Sequence, residues 1–82
     1  MNNEKLLERI VIDPKIMMGK PVIRGTRLTV QSIIARLAQG VSMEDLMKEY
    51  EGLCHEDSIA CLLFASESLD DNTFLLLHAE IN

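Results

Sequence analysis

The stretch TVQSIIARLAQGVSMEDLMKEYEGLCHEDSIACLLFAS, residues 29–66, decides the fold. Val30, Ile33, Ile34, Leu37 and Ala38 fall at i, i+3, i+4, i+7 and i+8, the apolar stripe of an amphipathic helix. Thr29 stands before the stripe as an N-cap and Gly40 after it in the favoured C′ position. Ser42 opens a second helix, with Asp45 at the capping-box position and Met43, Leu46, Met47 and Tyr50 on its inner face. Gly52 ends it. A short turn at residues 53–55 leads to a third helix over Glu56–Ser66, apolar all round from Ile59 to Ala65. Ile34 and Leu62 are expected on faces turned to the core. Three short helices, near residues 30–39, 43–50 and 56–66, joined by very short loops have helix-turn-helix proportions.

Upstream, Arg9-Ile-Val-Ile12 is β-branched and reads as a strand that Asp13-Pro14 stops. Residues 20–24, Lys-Pro-Val-Ile-Arg, form a second extended stretch between Gly19 and Gly25. Pro21 confines it to an edge. Residues 1–28 thus read as a loose β arm before a three-helix unit at 29–66. Residues 67–82 hold an acidic linker with a turn at Asp70-Asp71-Asn72, then the apolar run Phe74-Leu75-Leu76-Leu77, which could be a strand. The fold class expected is mainly α, one domain over 1–82.

The composition narrows function. The chain has 82 residues, 48% hydrophobic and only 4% aromatic, so its core is aliphatic. A core this small predicts help from self-association, and a homodimer is expected. Neither a signal peptide nor a run of roughly 20 apolar residues is present, so a cytoplasmic, soluble protein is expected. Residues 1–36 carry seven basic and three acidic residues, a net +4. Residues 37–82 carry one basic and ten acidic residues, a net −9. The basic half suits phosphate; the acidic half suits a basic protein partner.

Catalytic chemistry finds no support in the spacing. Cys54 and His55 are sequence neighbours, whereas a nucleophile and its base must be neighbours in space with an orienting third group. Cys54, His55, Cys61 and His78 lack the paired spacing of a zinc site, and both cysteines read as reduced thiols in or near the core. Gly19-Lys20 and Gly25-Thr26 do not fit the phosphate-loop pattern; these glycines supply turns. No enzyme, metal or cofactor is expected. For DNA, the start of the third helix is a poor reader, because Glu56 and Asp57 would face the phosphates. The better candidates are Lys20, Arg24, Arg27 and Arg36, with the alternative that Arg24 and Arg27 pair with Asp13 or Glu44. Phe74, Leu75, Leu76 and Leu77 are the candidate partner-binding residues, since an apolar strand with free edges invites pairing.

One string is more specific than any of these patterns. Arg9-Ile10, Asp13-Pro14, the run Gly19-Lys-Pro-Val-Ile-Arg-Gly-Thr-Arg27, Val30, Gly40-x-Ser42, Glu44, Tyr50 and Leu53-x-x-Glu56-Asp57 together resemble the bacterial family known as domain of unknown function 433. The resemblance covers residues 9–65. It implies a homeodomain-like or winged-helix-like three-helix unit behind a β arm. It also implies an antitoxin-like role, with a PIN-type ribonuclease toxin as protein partner and duplex operator DNA as a further one. A protein-interaction domain that does not bind DNA is the alternative. Two positions depart from the family pattern. Cys54-His55 stands where Thr-Pro is usual, and Ser58 where an aliphatic residue is usual. Cysteine caps poorly, so the third helix is expected to fray at its start.

Overall fold

The computed structural model describes residues 2–70. The chain is mainly helical with a β arm at its N-terminal end. Four helices run in order: α1 at Asn3–Leu7, α2 at Val30–Ala38, α3 at Met43–Glu49 and α4 at His55–Leu69. Two short strands, β1 at Ile10–Val11 and β2 at Val22–Ile23, lie between α1 and α2. They pair antiparallel with Ile10 opposite Ile23 and Val11 opposite Val22. The arm is therefore a small ladder rather than a loose extension. It is tied to α2, because the Val30 N–H donates to the Pro21 carbonyl at 2.9 Å.

Helix α1 was not expected from the sequence. It is one and a half turns long, too short for a periodic signal. Its start is set by Asn2, whose side-chain oxygen accepts from the Glu4 N–H at 2.7 Å. Its anchor is Leu6, buried against the rest of the fold, where α1 packs on α4.

The caps of α2 and α3 follow the sequence. The Ser32 N–H donates to Thr29 Oγ1 at 3.1 Å, and the Asp45 N–H donates to Ser42 Oγ at 3.0 Å. Gly40, at φ 93°, closes α2 in a left-handed conformation that a side chain would oppose. Between the strands, Met17 and Met18 also take positive φ, at 48° and 57°. Met18 in that turn projects into solvent, at 88% exposure.

The start of α4 corrects the sequence reading. It does not fray at Cys54. Asp57 Oδ2 accepts the Cys54 N–H at 3.1 Å, so the side chain three residues into the helix caps it from inside. The helix then runs on to Leu69, three residues beyond the expected end. Leu62 is a second correction. It is 40% exposed, because α4 carries apolar residues all round and the small fold covers only one side of it. The core is formed by Ile23, Val30, Ile33, Leu46, Leu53 and Cys61, while Ile34 is only partly covered.

Ser58 stands in this core with no exposed surface, and its hydroxyl has no hydrogen-bond partner among the described residues. A buried hydroxyl without a partner costs on the order of 1–3 kcal/mol. Ser58→Ala is therefore expected to raise the melting temperature by roughly 4–8 °C, about 1 kcal/mol for a domain of this size. A thermal melt followed by circular dichroism checks this, and a lowered midpoint would show that the hydroxyl is satisfied.

Candidate functional site

The basic arm is built by the β1–β2 ladder and the turn that follows it. Thr26 Oγ1 donates to the Ile23 carbonyl at 2.7 Å and accepts the Leu28 N–H at 3.0 Å. This pins the Gly-Thr-Arg turn and leaves Arg24 and Arg27 exposed on either side of it. Lys20 is exposed just before β2. Arg24 does not pair with Asp13 or Glu44. Its Nε and Nη2 donate to the Glu8 carbonyl, at 3.0 and 2.6 Å. A carbonyl fixes the guanidinium without neutralising it, so the positive charge stays on the surface. Among the described residues, Lys20 and Arg27 also lack an ion-pair partner.

Arg36 lies apart from this group. Its Nη2 meets both carboxylate oxygens of Glu49 at 2.6 Å, and its Nη1 donates to Gln39 at 3.2 Å. The Glu49 hydrogen bond is the main cause that holds the Arg36 pKa above its ordinary value. Arg36 thus clasps α2 to α3, and its charge is compensated where it stands. Of the four candidate cations the structure brings Lys20, Arg24 and Arg27 to one arm and commits the fourth to a bridge.

The start of α4 is organised around a contact that sequence reasoning missed. Arg9 Nη1 donates to Asp57 Oδ1 at 3.2 Å and approaches Cys54 Sγ at 3.3 Å. Asp57 in turn serves the Cys54 N–H with its other oxygen. One carboxylate thus caps α4 and ties it to the residue just before β1. The Asp57 hydrogen bond is the main cause that raises the Arg9 pKa. Two residues therefore change meaning. Asp57 is turned inward rather than toward a nucleic-acid groove, and Ser58 behind it is in the core. Only His55 and Glu56 of the first turn reach the surface. The signal was present, since Arg9 and Asp57 both belong to the distinctive string, but a separation of 48 residues hides the pair.

The thiols are not placed for joint chemistry. Cys61 is buried among aliphatic side chains, which pushes its pKa up to about 12 and keeps the thiol protonated. Cys54 is partly covered at the other end of the helix's first two turns. Among the described residues no three His, Cys, Asp or Glu side chains converge as metal ligands. His78 and the candidate partner segment Phe74–Leu77 lie outside the described residues. No helix among the described residues is long and apolar enough to cross a membrane.

Residues 10–65 match the family model described as protein of unknown function, DUF433. The chain belongs to the DUF433 family. The match spans both strands, α2, α3 and most of α4, so it takes in the Gly-x-Pro-x-Ile-x-Gly-Thr-Arg arm and Asp57. The crystal structure of a DUF433 member from Anabaena variabilis superimposes with a TM-score of 0.73 at 30% identity, over 82% of this chain. The chain spans 66% of that protein's length. An uncharacterized protein of Archaeoglobus fulgidus is 58% identical over 26 residues, which cover 32% of this chain and 72% of that protein. The DUF433 family carries no enzymatic name.

Proposed function

We propose that this DUF433 protein is a non-enzymatic regulatory binding module of antitoxin type. In this reading it is a cytoplasmic homodimer. Its basic arm meets the phosphates of duplex operator DNA through Lys20, Arg24 and Arg27. Its acidic C-terminal half, with Phe74–Leu77, meets a basic protein partner such as a PIN-type ribonuclease toxin.

The observation that carries the reading is the arm itself. Three exposed cations flank one short strand, β2, and no carboxylate among the described residues pairs with them. Phosphate neutralisation supplies most sequence-independent affinity for DNA, and ladder-borne cations can supply it. A second reading, a protein-interaction domain without DNA contact, is favoured by α4. Its first turn is closed on Arg9, which leaves few side chains there to read base edges.

A salt titration by fluorescence anisotropy separates the two. The probe is a duplex carrying the DNA upstream of the protein's own gene. Each phosphate-neutralising cation contributes about 0.9 to the slope of log K against log salt. Arg24→Ala with Arg27→Ala is expected to weaken binding and flatten the slope by about 1.8 per chain, roughly twice that in a dimer. Arg36→Ala is expected to leave the slope unchanged. If the unmodified protein does not bind at low salt, the interaction-domain reading replaces this one.

A further inference from the structure

The connection between β1 and β2 holds the most exposed large apolar side chain among the described residues, Met18. Ile12, at 60% exposure, stands where the same connection leaves β1. An apolar side chain in water needs no special reason by itself. The backbone that displays this one does. Met17 and Met18 both take left-handed φ and Gly19 continues the run at φ 81°. Long side chains disfavour that conformation, which persists only where the surroundings fix it. Here the Ile16, Gly19 and Lys20 N–H groups donate to the Asp13, Ile16 and Met17 carbonyls at 2.9, 3.0 and 3.2 Å. Asp13 Oδ1 accepts the Lys15 N–H at 2.9 Å, and Gly19 lies against the Pro14 backbone. The turn is folded on itself, so Met18 projects from a fixed base.

We propose that this tip is a wedge for duplex DNA: Met18 enters the minor groove and inserts between two base pairs, while Lys15 and Lys20 hold phosphates on either side. The proposal rests on the reading of the arm as the element that meets DNA, and adds a role for its apolar tip. Charge selects the partner. Residues 12–27 carry Lys15, Lys20, Arg24 and Arg27 against Asp13 alone, and all four cations are exposed. None of them has an ion-pair partner among the described residues. A polyanion fits this surface and a basic protein does not. Minor-groove binders combine such cations with inserted apolar side chains, methionine and isoleucine among them, which part a base step and kink the duplex. Insertion from a turn that is already fixed costs little ordering. The step expected to open is TA, which unstacks readily, and the narrow groove of A·T pairs attracts lysine and arginine.

The test uses the full chain at low salt and a duplex of A·T pairs in which the fluorescent adenine analogue aminopurine stands at the TA steps. Anisotropy of a dye on one end of the duplex reports binding. Aminopurine fluorescence, which rises when the base loses its stacking neighbour, reports insertion. For the unmodified protein, anisotropy is expected to saturate and aminopurine fluorescence to rise with it. Met18→Asn takes nothing from the core and keeps the turn, since asparagine tolerates left-handed backbone. It is expected to bind with an unchanged salt slope and to lose the rise. Met18→Leu is expected to keep it. Saturation without a rise in the unmodified protein overturns the wedge and leaves phosphate contact by the arm standing. An equal rise with Met18→Asn overturns it in the same way. Absence of binding at low salt removes the arm reading and the wedge together. Binding to vesicles of phosphatidylglycerol that Met18→Asn abolishes, with no rise on the duplex, would make a membrane surface the occupant and overturn the proposal.

Discussion

Ile33→Asp is expected to leave the protein unfolded in dilute buffer at room temperature. Ile33 has no exposed surface and lies at the centre of the cluster formed by α2, α3, α4 and β2. The substitution removes an apolar burial worth about 1.5–3 kcal/mol. It also buries a carboxylate among Ile23, Val30, Leu46 and Leu53, a cost of several kcal/mol more. Domains of this size sit at the lower end of the usual stability of about 5–15 kcal/mol, so the sum exceeds what is available. Leu46→Asp should behave alike, since Leu46 is equally covered. Leu62→Asp should not. Leu62 is 40% exposed, and a carboxylate there can turn to water. Circular dichroism of the three variants checks the ordering. A folded Ile33→Asp would mean that α2 is rotated from the face described above, and an unfolded Leu62→Asp would mean the same of α4.

Asp57→Ala comes next in size. The carboxylate does three things at once: it accepts the Cys54 N–H, it receives Arg9 Nη1, and it keeps the negative end of the cluster at the N-terminus of α4. The lost cap alone is worth about 0.5–2 kcal/mol. The residue lies almost wholly out of solvent, so truncation also leaves a gap and an unpaired backbone donor. The melting temperature is expected to fall by roughly 4–8 °C for each kcal/mol lost. Amide hydrogen exchange should show the change first in residues 55–58, where the helix starts. Arg9→Met should have a smaller effect, because Arg9 is 40% exposed along its side chain and Asp57 keeps its bond to the Cys54 N–H. Equal losses in the two variants would show that the ion pair, not the cap, holds α4 in place.

Asp57 also marks how far the sequence could be read. Its acidic type beside Glu56 suggested a charged, outward helix start, unfavourable to DNA. The structure turns it inward because Arg9, 48 positions earlier, is brought beside it by the β1–β2 ladder. The same ladder explains Arg24. A carboxylate partner was sought in Asp13 or Glu44, but the strand pairing places the Glu8 carbonyl within 2.6 Å instead. Backbone acceptors carry no signature in residue type, so sequence cannot single them out.

Local rules sufficed wherever cause and effect lie within one turn. The stripes and caps at Thr29 and Ser42 fixed α2 and α3, and the glycine at position 40 fixed the break between them, because capping and left-handed backbone are decided within a few residues. The Gly-x-Pro-x-Ile-x-Gly-Thr-Arg string, as a pattern, led to the family. Burial was decided only by tertiary packing. Ile33, Ile34 and Leu62 are all apolar, yet one is fully covered, one partly covered and one 40% exposed. Which face of α4 meets α2 and α3, and which meets solvent, depends on how few elements a fold of this size can place around it. That number is set by the whole chain, and no window of the sequence contains it.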